Sequence, residues 1–262
     1  MRDRGLLARG VLAIVLVLLY APLVFLVVAS INRNPLSTSW QGFTLDWYRA
    51  AWNDPALRDA VRVSVTLAGS ASGLAVVIGT AGAVAARRTR WLVRIASGAA
   101  VSRIATPEIV IATGIAAFLP AVDVSFGRRS MLIAHVAYLS AYVMLIVGAR
   151  AAGGSVTAEE AAMDLGASRI GVVRDIVLPD LVPAIVSAGL LTLAFSLDDV
   201  ALSLALRGPE DTTVPVYILS AVQRRVTPSI HAIGAVTIAA GVTVVVLAML
   251  VNRAVVGVRR PR

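Results

Sequence analysis

Four stretches of this chain run for a membrane's thickness without a charged residue: Gly10 to Asn32, Val63 to Ala86, Ser130 to Ala149 and Val226 to Asn252. Crossing a hydrocarbon core takes roughly 20 apolar residues at about 1.5 Å of rise each. Backbone polar groups inside lipid must bond within their own segment, so runs of this kind fold as helices. Two further runs have the length but carry charges. One extends from Ala99 to Ala121 and contains Arg103, Pro107 and Glu108; the other extends from Leu181 to Leu206 and contains Asp198 and Asp199. The expected fold class is all-α, a polytopic membrane protein with six transmembrane helices.

The side-chain inventory excludes much chemistry. Only 15% of residues are charged, against about one quarter in soluble domains. All 24 basic residues are arginine, there is no cysteine, and the histidines are His135 and His231 alone. A phosphate-cradling P-loop needs its lysine, so the chain carries no Walker A ATPase site. Schiff-base and thiol chemistry, disulfides, cysteine metal sites and two-histidine zinc helices are excluded on the same grounds. No cofactor and no metal are expected. Arginine in place of lysine, with abundant Ala and Val, is also what a GC-rich genome produces; the excluded chemistry is the same either way.

Arginine placement sets the expected orientation. With six spans and the N-terminus inside, fifteen arginines fall in inner segments and nine in outer ones. Both termini are therefore expected in the cytoplasm, with the chain in the cell membrane. The first apolar run is too long for a signal peptide's core and is read as a retained helix. The net charge of +9 then reflects topology and anionic lipid headgroups. No basic run interleaves with aromatics as single-strand binders require, so nucleic acid is not an expected partner.

Residues 1–62 make up the first helix and an outer loop holding Trp40, Trp47, Tyr48 and Trp52. That cluster suits either a short helix at the headgroup level or a docking surface for an external protein. Residues 63–253 hold the remaining five spans, and 254–262 form a basic cytoplasmic tail.

The inner loop between the fourth and fifth spans, 155–180, is more than a connection. Gly153-Gly154 breaks the preceding helix. Thr157 and Glu160 have capping-box spacing, so a short helix is expected over Ala158 to Leu165, with Glu159 and Glu160 in its first turn. Gly166 then ends it in a left-handed cap. A second helix is expected from Ser168 to Leu178, with Ile170, Val173 and Val177 on one face and Pro179 as its stop. Periodicity alone leaves open an amphipathic loop resting on the bilayer.

The residues resemble something more specific. Glu160-Ala161-Ala162, three residues, Gly166, nine residues, then Ile176-x-Leu178-Pro179 closely resembles the EAA loop of ABC-importer permeases. The stretch Trp40 to Tyr48, Pro107-Glu108-Ile109-Val110, Ala134-His135, Ser196 to Val200 and Leu206 to Ala232 resemble the permeases for spermidine and putrescine. His231 stands where asparagine is common in that family and Ala141 where proline is common; Arg224 and Arg225 are unusually basic for an outer mouth admitting a polycation.

The resemblance implies a cytoplasmic coupling helix that sits in a groove of a separate ATPase. It implies two ATP-binding-cassette ATPase subunits, a second permease subunit, identical or different, and an extracytoplasmic solute-binding protein as partners, besides membrane lipid. Glu159, Glu160, Ala161, Ala162, Asp164, Leu165 and Gly166 are the expected ATPase-coupling residues. Small side chains at 161, 162 and 166 allow close approach, and the three carboxylates offer acceptors to a partner's Arg or Lys.

Carboxylates inside spans are costly, so they are functional or paired. Asp198 and Asp199 stand about 100° apart on a continuous helix, so both cannot face one lumen. One is expected to line the translocation path while the other pairs; His135, at similar depth, is counted among the path residues and is the candidate partner. Tyr138 and Tyr142, one helical turn apart, either line the path with ring faces suited to an amine or serve as packing. Arg103 is the expected partner of Glu108. A negative site suits a cation, with a polyamine the favoured solute; an iron chelate, sulfate or aminophosphonate is the alternative. An intramembrane aspartyl enzyme would need two opposed carboxyls, which neighbours on one helix do not provide.

Overall fold

The first apolar run folds as a single helix, α1, Arg2–Ser30, with Pro22 inside it. The computed structural model describes residues 2–35, 39–87, 98, 106–154, 156–224 and 228–257. Among the described residues the structure is helical. It has one isolated antiparallel bridge, between Asn32 and Phe43, and no longer strand pairing. After α1 come α2, Asp46–Asn53; α3, Pro55–Ala86; and α4, Glu108–Phe118, which tightens into a 3₁₀ turn over Leu119–Val122. Next are α5, Arg128–Ala152; α6, Val156–Asp164; and α7, Arg169–Val172. A π turn, Val173–Val177, leads into α8, Leu178–Asp198. The chain ends with α9, Ala201–Leu206; α10, Val214–Arg224; and α11, Pro228–Gly257. Two compact units result, Met1–Arg58 with Tyr217–Val242, and Asp59–Val216 with Thr243–Arg262.

Among the described residues, four helical stretches are long and apolar enough to cross a membrane: Arg9–Ser30, Pro55–Ala86, Arg128–Ala152 and Arg169–Asp198. Two more apolar helices are shorter, Glu108–Val122 and Ser229–Val244. The expected third span begins in residues outside those described; its described part starts at Thr106, and the extended backbone of Pro107 opens α4. The expected fifth span is interrupted. α8 stops at Asp198, Asp199 is extended with φ −67° and ψ 127°, and a separate short helix follows.

The first unit turns sharply after α1. Arg33 N–H donates to Gly42 O at 2.8 Å and Thr44 N–H to Ile31 O at 2.9 Å. Gly42, at φ +104°, supplies the left-handed residue this reversal needs. Trp47 Nε1–H reaches back to Asn32 O at 2.9 Å, and Tyr48 Oη meets Ser30 Oγ at 2.7 Å. α2 is thereby pinned beside the end of α1, while Trp52 stays 77% exposed. Asp54 caps α3 through Ala56 N–H at 2.8 Å, ahead of Pro55 at the first helical position.

Asp54 also accepts Tyr217 Oη–H at 2.6 Å. That bond holds the Asp54 carboxyl below its ordinary 3.8. Burial, aided by the Asp54 bond, pushes the Tyr217 phenol up to about 12. Asp54's contribution is complete above its unfolded value and lost as pH falls through the lower folded one. Tyr217's is complete below its unfolded value and lost as pH rises towards about 12. The contact is therefore expected to hold from about pH 4 to about pH 10. Tyr217→Phe should return the Asp54 titration towards 3.8, read by carboxyl-carbon NMR; an unmoved titration contradicts the assignment.

The second unit is built on small residues. Ala71, Ala75 and Ala83 of α3 pack with Leu139, Val143, Val147 and Ala151 of α5, and with Leu181 and Ala188 of α8. Lipid offers apolar side chains as good a solvent as a neighbouring helix does, so close backbone approach is what holds helices together there. Gly79 marks the closest crossing: a Cβ placed there would lie 2.6 Å from Val143 Cβ and 2.7 Å from Ser140 O. Nearby, Ser72 Oγ–H donates to Gly189 O at 2.9 Å and meets Thr192 Oγ1 at 2.9 Å. A second cluster gathers Val63, Leu67, Ala112, Met131, Ala134, Leu202 and Leu206, bringing α9 against α3, α4 and α5.

Candidate functional site

Two places in the second unit gather the residues singled out in the sequence. The first is the segment from Gly153 to Leu181. α6 begins at Val156, so Thr157 lies inside its first turn and is not the cap the spacing predicts. Its end agrees with expectation. Gly166 has φ +90°, its N–H donates to Met163 O at 2.9 Å, and Ala167 N–H donates to Ala162 O at 3.0 Å. These two bonds are a Schellman cap. Ser168 then caps α7, its Oγ accepting Gly171 N–H at 3.1 Å.

Pro179 does not stop the second helix, contrary to the sequence reading. It occupies the opening positions of α8, and α7 runs on into α8 through the π turn. A proline lacks the N–H for an α-helical bond and its ring crowds the carbonyl four residues back; an i→i+5 turn immediately before it relieves both. The result is one continuous element, Arg169–Asp198.

Side-chain placement divides the coupling residues expected from the resemblance. Glu160, Ala161, Asp164, Leu165 and Gly166 are exposed, Leu165 by 91%. Ala162 packs inward with Met163. Glu159 is 8% exposed and binds Arg87 at 2.6 Å, so its carboxylate is engaged within this chain and not offered to a partner. Ile170, expected on a packed face with Val173 and Val177, is 81% exposed instead, because α7 turns it outward beyond the Gly166 elbow while Val177 is buried. That Leu165 and Ile170 are both exposed was not read from the sequence; their apolarity on either side of a glycine elbow was the available signal. Beneath α6 lies a cavity of about 300 Å³, lined by Arg87, Arg150, Gly154, Glu159, Asp180 and their neighbours, where Arg150 also binds Asp180 at 2.7 Å.

The second place is the break between α8 and α9. Asp199 is 6% exposed, and its carboxylate accepts Ser203 N–H at 2.8 Å, Ser203 Oγ–H at 2.8 Å and Leu202 N–H at 3.3 Å, closing the start of α9. His135, 1% exposed, sets Nδ1 2.8 Å from Ser196 Oγ and Nε2 3.3 Å from Asp199 Oδ2. The latter approach is close, but its alignment falls short of a hydrogen bond. Asp198 is exposed. The two aspartates are thus separated by a break in the helix, not by a 100° step along it, because Asp199 is drawn off to cap α9. Tyr138 Oη–H donates to Glu108 at 2.6 Å. Arg103, the partner expected for Glu108, lies outside the described residues. Tyr138, Tyr142 and Phe195 form an edge-to-face ladder with centroids 5.7 and 5.0 Å apart.

With this geometry in place, resemblance to known proteins is informative. No protein-family profile matches the sequence. The spermidine/putrescine transport system permease protein PotC of Haemophilus influenzae is 36% identical over 96% of this chain and 98% of its own length. The putrescine transport system permease protein PotI of Escherichia coli is 34% identical over 85% of this chain and 82% of its own. Among solved structures, a bacterial ABC transporter involved in the import of the acidic polysaccharide alginate superposes with a TM-score of 0.77. That match covers 97% of this chain and 96% of the other, at 18% identity, and establishes the fold. The relatives are transport permeases and not enzymes. By sequence, the chain belongs to the family of spermidine/putrescine transport system permease proteins.

Proposed function

We propose that this permease forms half of a polyamine translocation path in the cell membrane and is opened by separate ATPase subunits. The observation that carries the substrate is the 36% identity with a spermidine/putrescine permease over 96% of the chain. Six spans cross the bilayer with both termini in the cytoplasm, a topology supported by the arginine distribution. The segment 155–180 is the EAA coupling loop. Its exposed α6 and the Leu165–Ile170 pair enter the groove of an ATP-binding-cassette ATPase, with Glu160 and Asp164 facing basic groups there. A second permease completes the path, a second ATPase the motor, and an extracytoplasmic binding protein delivers the solute.

In this reading Asp198 lines the path and Asp199 holds the helix break. An exposed carboxylate at a break gives an amine a charged partner once water is stripped. Tyr138 and Tyr142 offer ring faces on the same path, each worth about 0.5–2 kcal/mol to a cation. Asp198→Asn is expected to lower spermidine uptake at least about tenfold with unchanged protein level, the loss of one charge-assisted contact. Asp199→Asn is expected to lower the amount of folded protein as well, since it disturbs the contact with His135 and the α9 cap. Equal protein levels and full uptake in both variants would remove the carboxylates from the path.

The direct test reconstitutes the complete transporter in proteoliposomes. ATP-dependent accumulation of labelled spermidine or putrescine, dependent on the binding protein, is the expected result. Accumulation of an anionic solute with none of either polyamine contradicts the substrate assignment.

A further inference from the structure

Within the second unit, the Arg87–Glu159 pair joins elements far apart in the chain. Arg87 directly follows α3, at the helix end where a cation is favoured; Glu159 sits in the first turn of α6, where an anion is favoured. Their side chains are 15% and 10% exposed, and the contact is 2.6 Å. Gly154 is fitted against the arginine: a Cβ there would lie 2.7 Å from a guanidinium nitrogen. The other joints of α6 are pliant by composition, with Gly153-Gly154 before it and Gly166 after it. Asp180 and Arg150 make a second pair across the same cavity, but theirs is half exposed, at 52% and 40%.

We infer that Arg87 and Glu159 are positioning residues, a buried strut that carries movement of α6 into α3. This rests on the reading of α6 as the coupling helix. Along the chain, a load on α6 reaches α5 through a glycine pair and α8 through the Gly166 elbow and the π turn, while Ala162 and Met163 add only apolar contacts with the core. The ion pair instead connects α6 side-on to the end of a 32-residue helix. Buried and charge-matched at both ends, it resists sliding in a way an exposed pair does not. Glycine at 154 leaves the guanidinium seated, so a larger residue there displaces it without altering either charge.

The test uses the full transporter with its ATPases, partner permease and binding protein, comparing Arg87→Gln, Glu159→Gln, Gly154→Val, the charge reversals R87E and E159R, and the double reversal. Co-purified ATPase, binding-protein-stimulated ATP hydrolysis and polyamine uptake are measured on each assembled complex. The neutral variants and Gly154→Val should retain the ATPase and still hydrolyse ATP, while uptake per ATP falls at least about tenfold. The double reversal should recover uptake to within about threefold of the parent, while each single reversal loses it. Unchanged uptake per ATP in the neutral variants, or a double reversal no better than the single ones, overturns the strut. Loss of folded protein in every neutral variant also overturns it, by making the pair a folding contact. A parent complex that binds no ATPase instead defeats the coupling reading itself.

Discussion

Gly166→Val is expected to leave the permease in the membrane at normal abundance while uptake falls at least about tenfold. The residue sits at φ +90° and closes the Schellman cap of α6. A Cβ there meets no atom within 4 Å, so the substitution causes no clash inside the chain. Its cost is backbone strain, about 1–2 kcal/mol for a non-glycine residue in a left-handed conformation and more for a β-branched one. The chain relieves that strain by reopening the elbow, which re-aims α6. Uptake should therefore fall in the order Gly, Asn, Ala, Val, because asparagine tolerates the left-handed region best after glycine. Transport assays normalised to protein in the membrane check the order. Wild-type uptake in Gly166→Val would show that the elbow's shape is unimportant.

Gly79→Leu acts on folding instead. Its Cβ would lie 2.6 Å from Val143 Cβ and 2.7 Å from a backbone oxygen, so α3 and α5 must separate. Overpacking of this kind costs about 1–3 kcal/mol or more, and losing close approach removes the main source of helix association in lipid. Folded protein recovered from membranes should drop several-fold, because marginal stability converts directly into abundance. Gly73→Leu is the matched control on the same helix, where a Cβ meets nothing within 4 Å. It is expected near the parent level. Equal recovery of the two variants would contradict the crossing.

Charge-free runs revealed the helices, since the hydrophobic requirement for crossing a bilayer is a property of composition along the chain. The Gly166 cap was legible because a glycine at that offset after a short helix has few other uses. The break at Asp199 was not, because a carboxylate in an apolar run looks the same whether it lines a path or caps a following helix. Only the placement of Ser203 and His135 distinguishes the two. Pro179 misled for a related reason: proline marks a local loss of α-helical bonding, and a π turn accommodates that loss without ending the helix. Glu159 and Glu160 are neighbours of identical chemistry, yet Arg87 buries one and leaves the other exposed, a difference set by tertiary contact alone.

The reading of α6 as the element gripped by the motor is tested most directly by cross-linking. The chain has no cysteine, so Ala161→Cys introduces a single thiol on the exposed face of α6. In an assembled, transport-active complex, a short bifunctional reagent should join that thiol to an ATP-binding-cassette ATPase subunit, with a yield that changes when ATP is bound. An active complex in which residue 161 never cross-links to an ATPase, with or without nucleotide, would contradict the account.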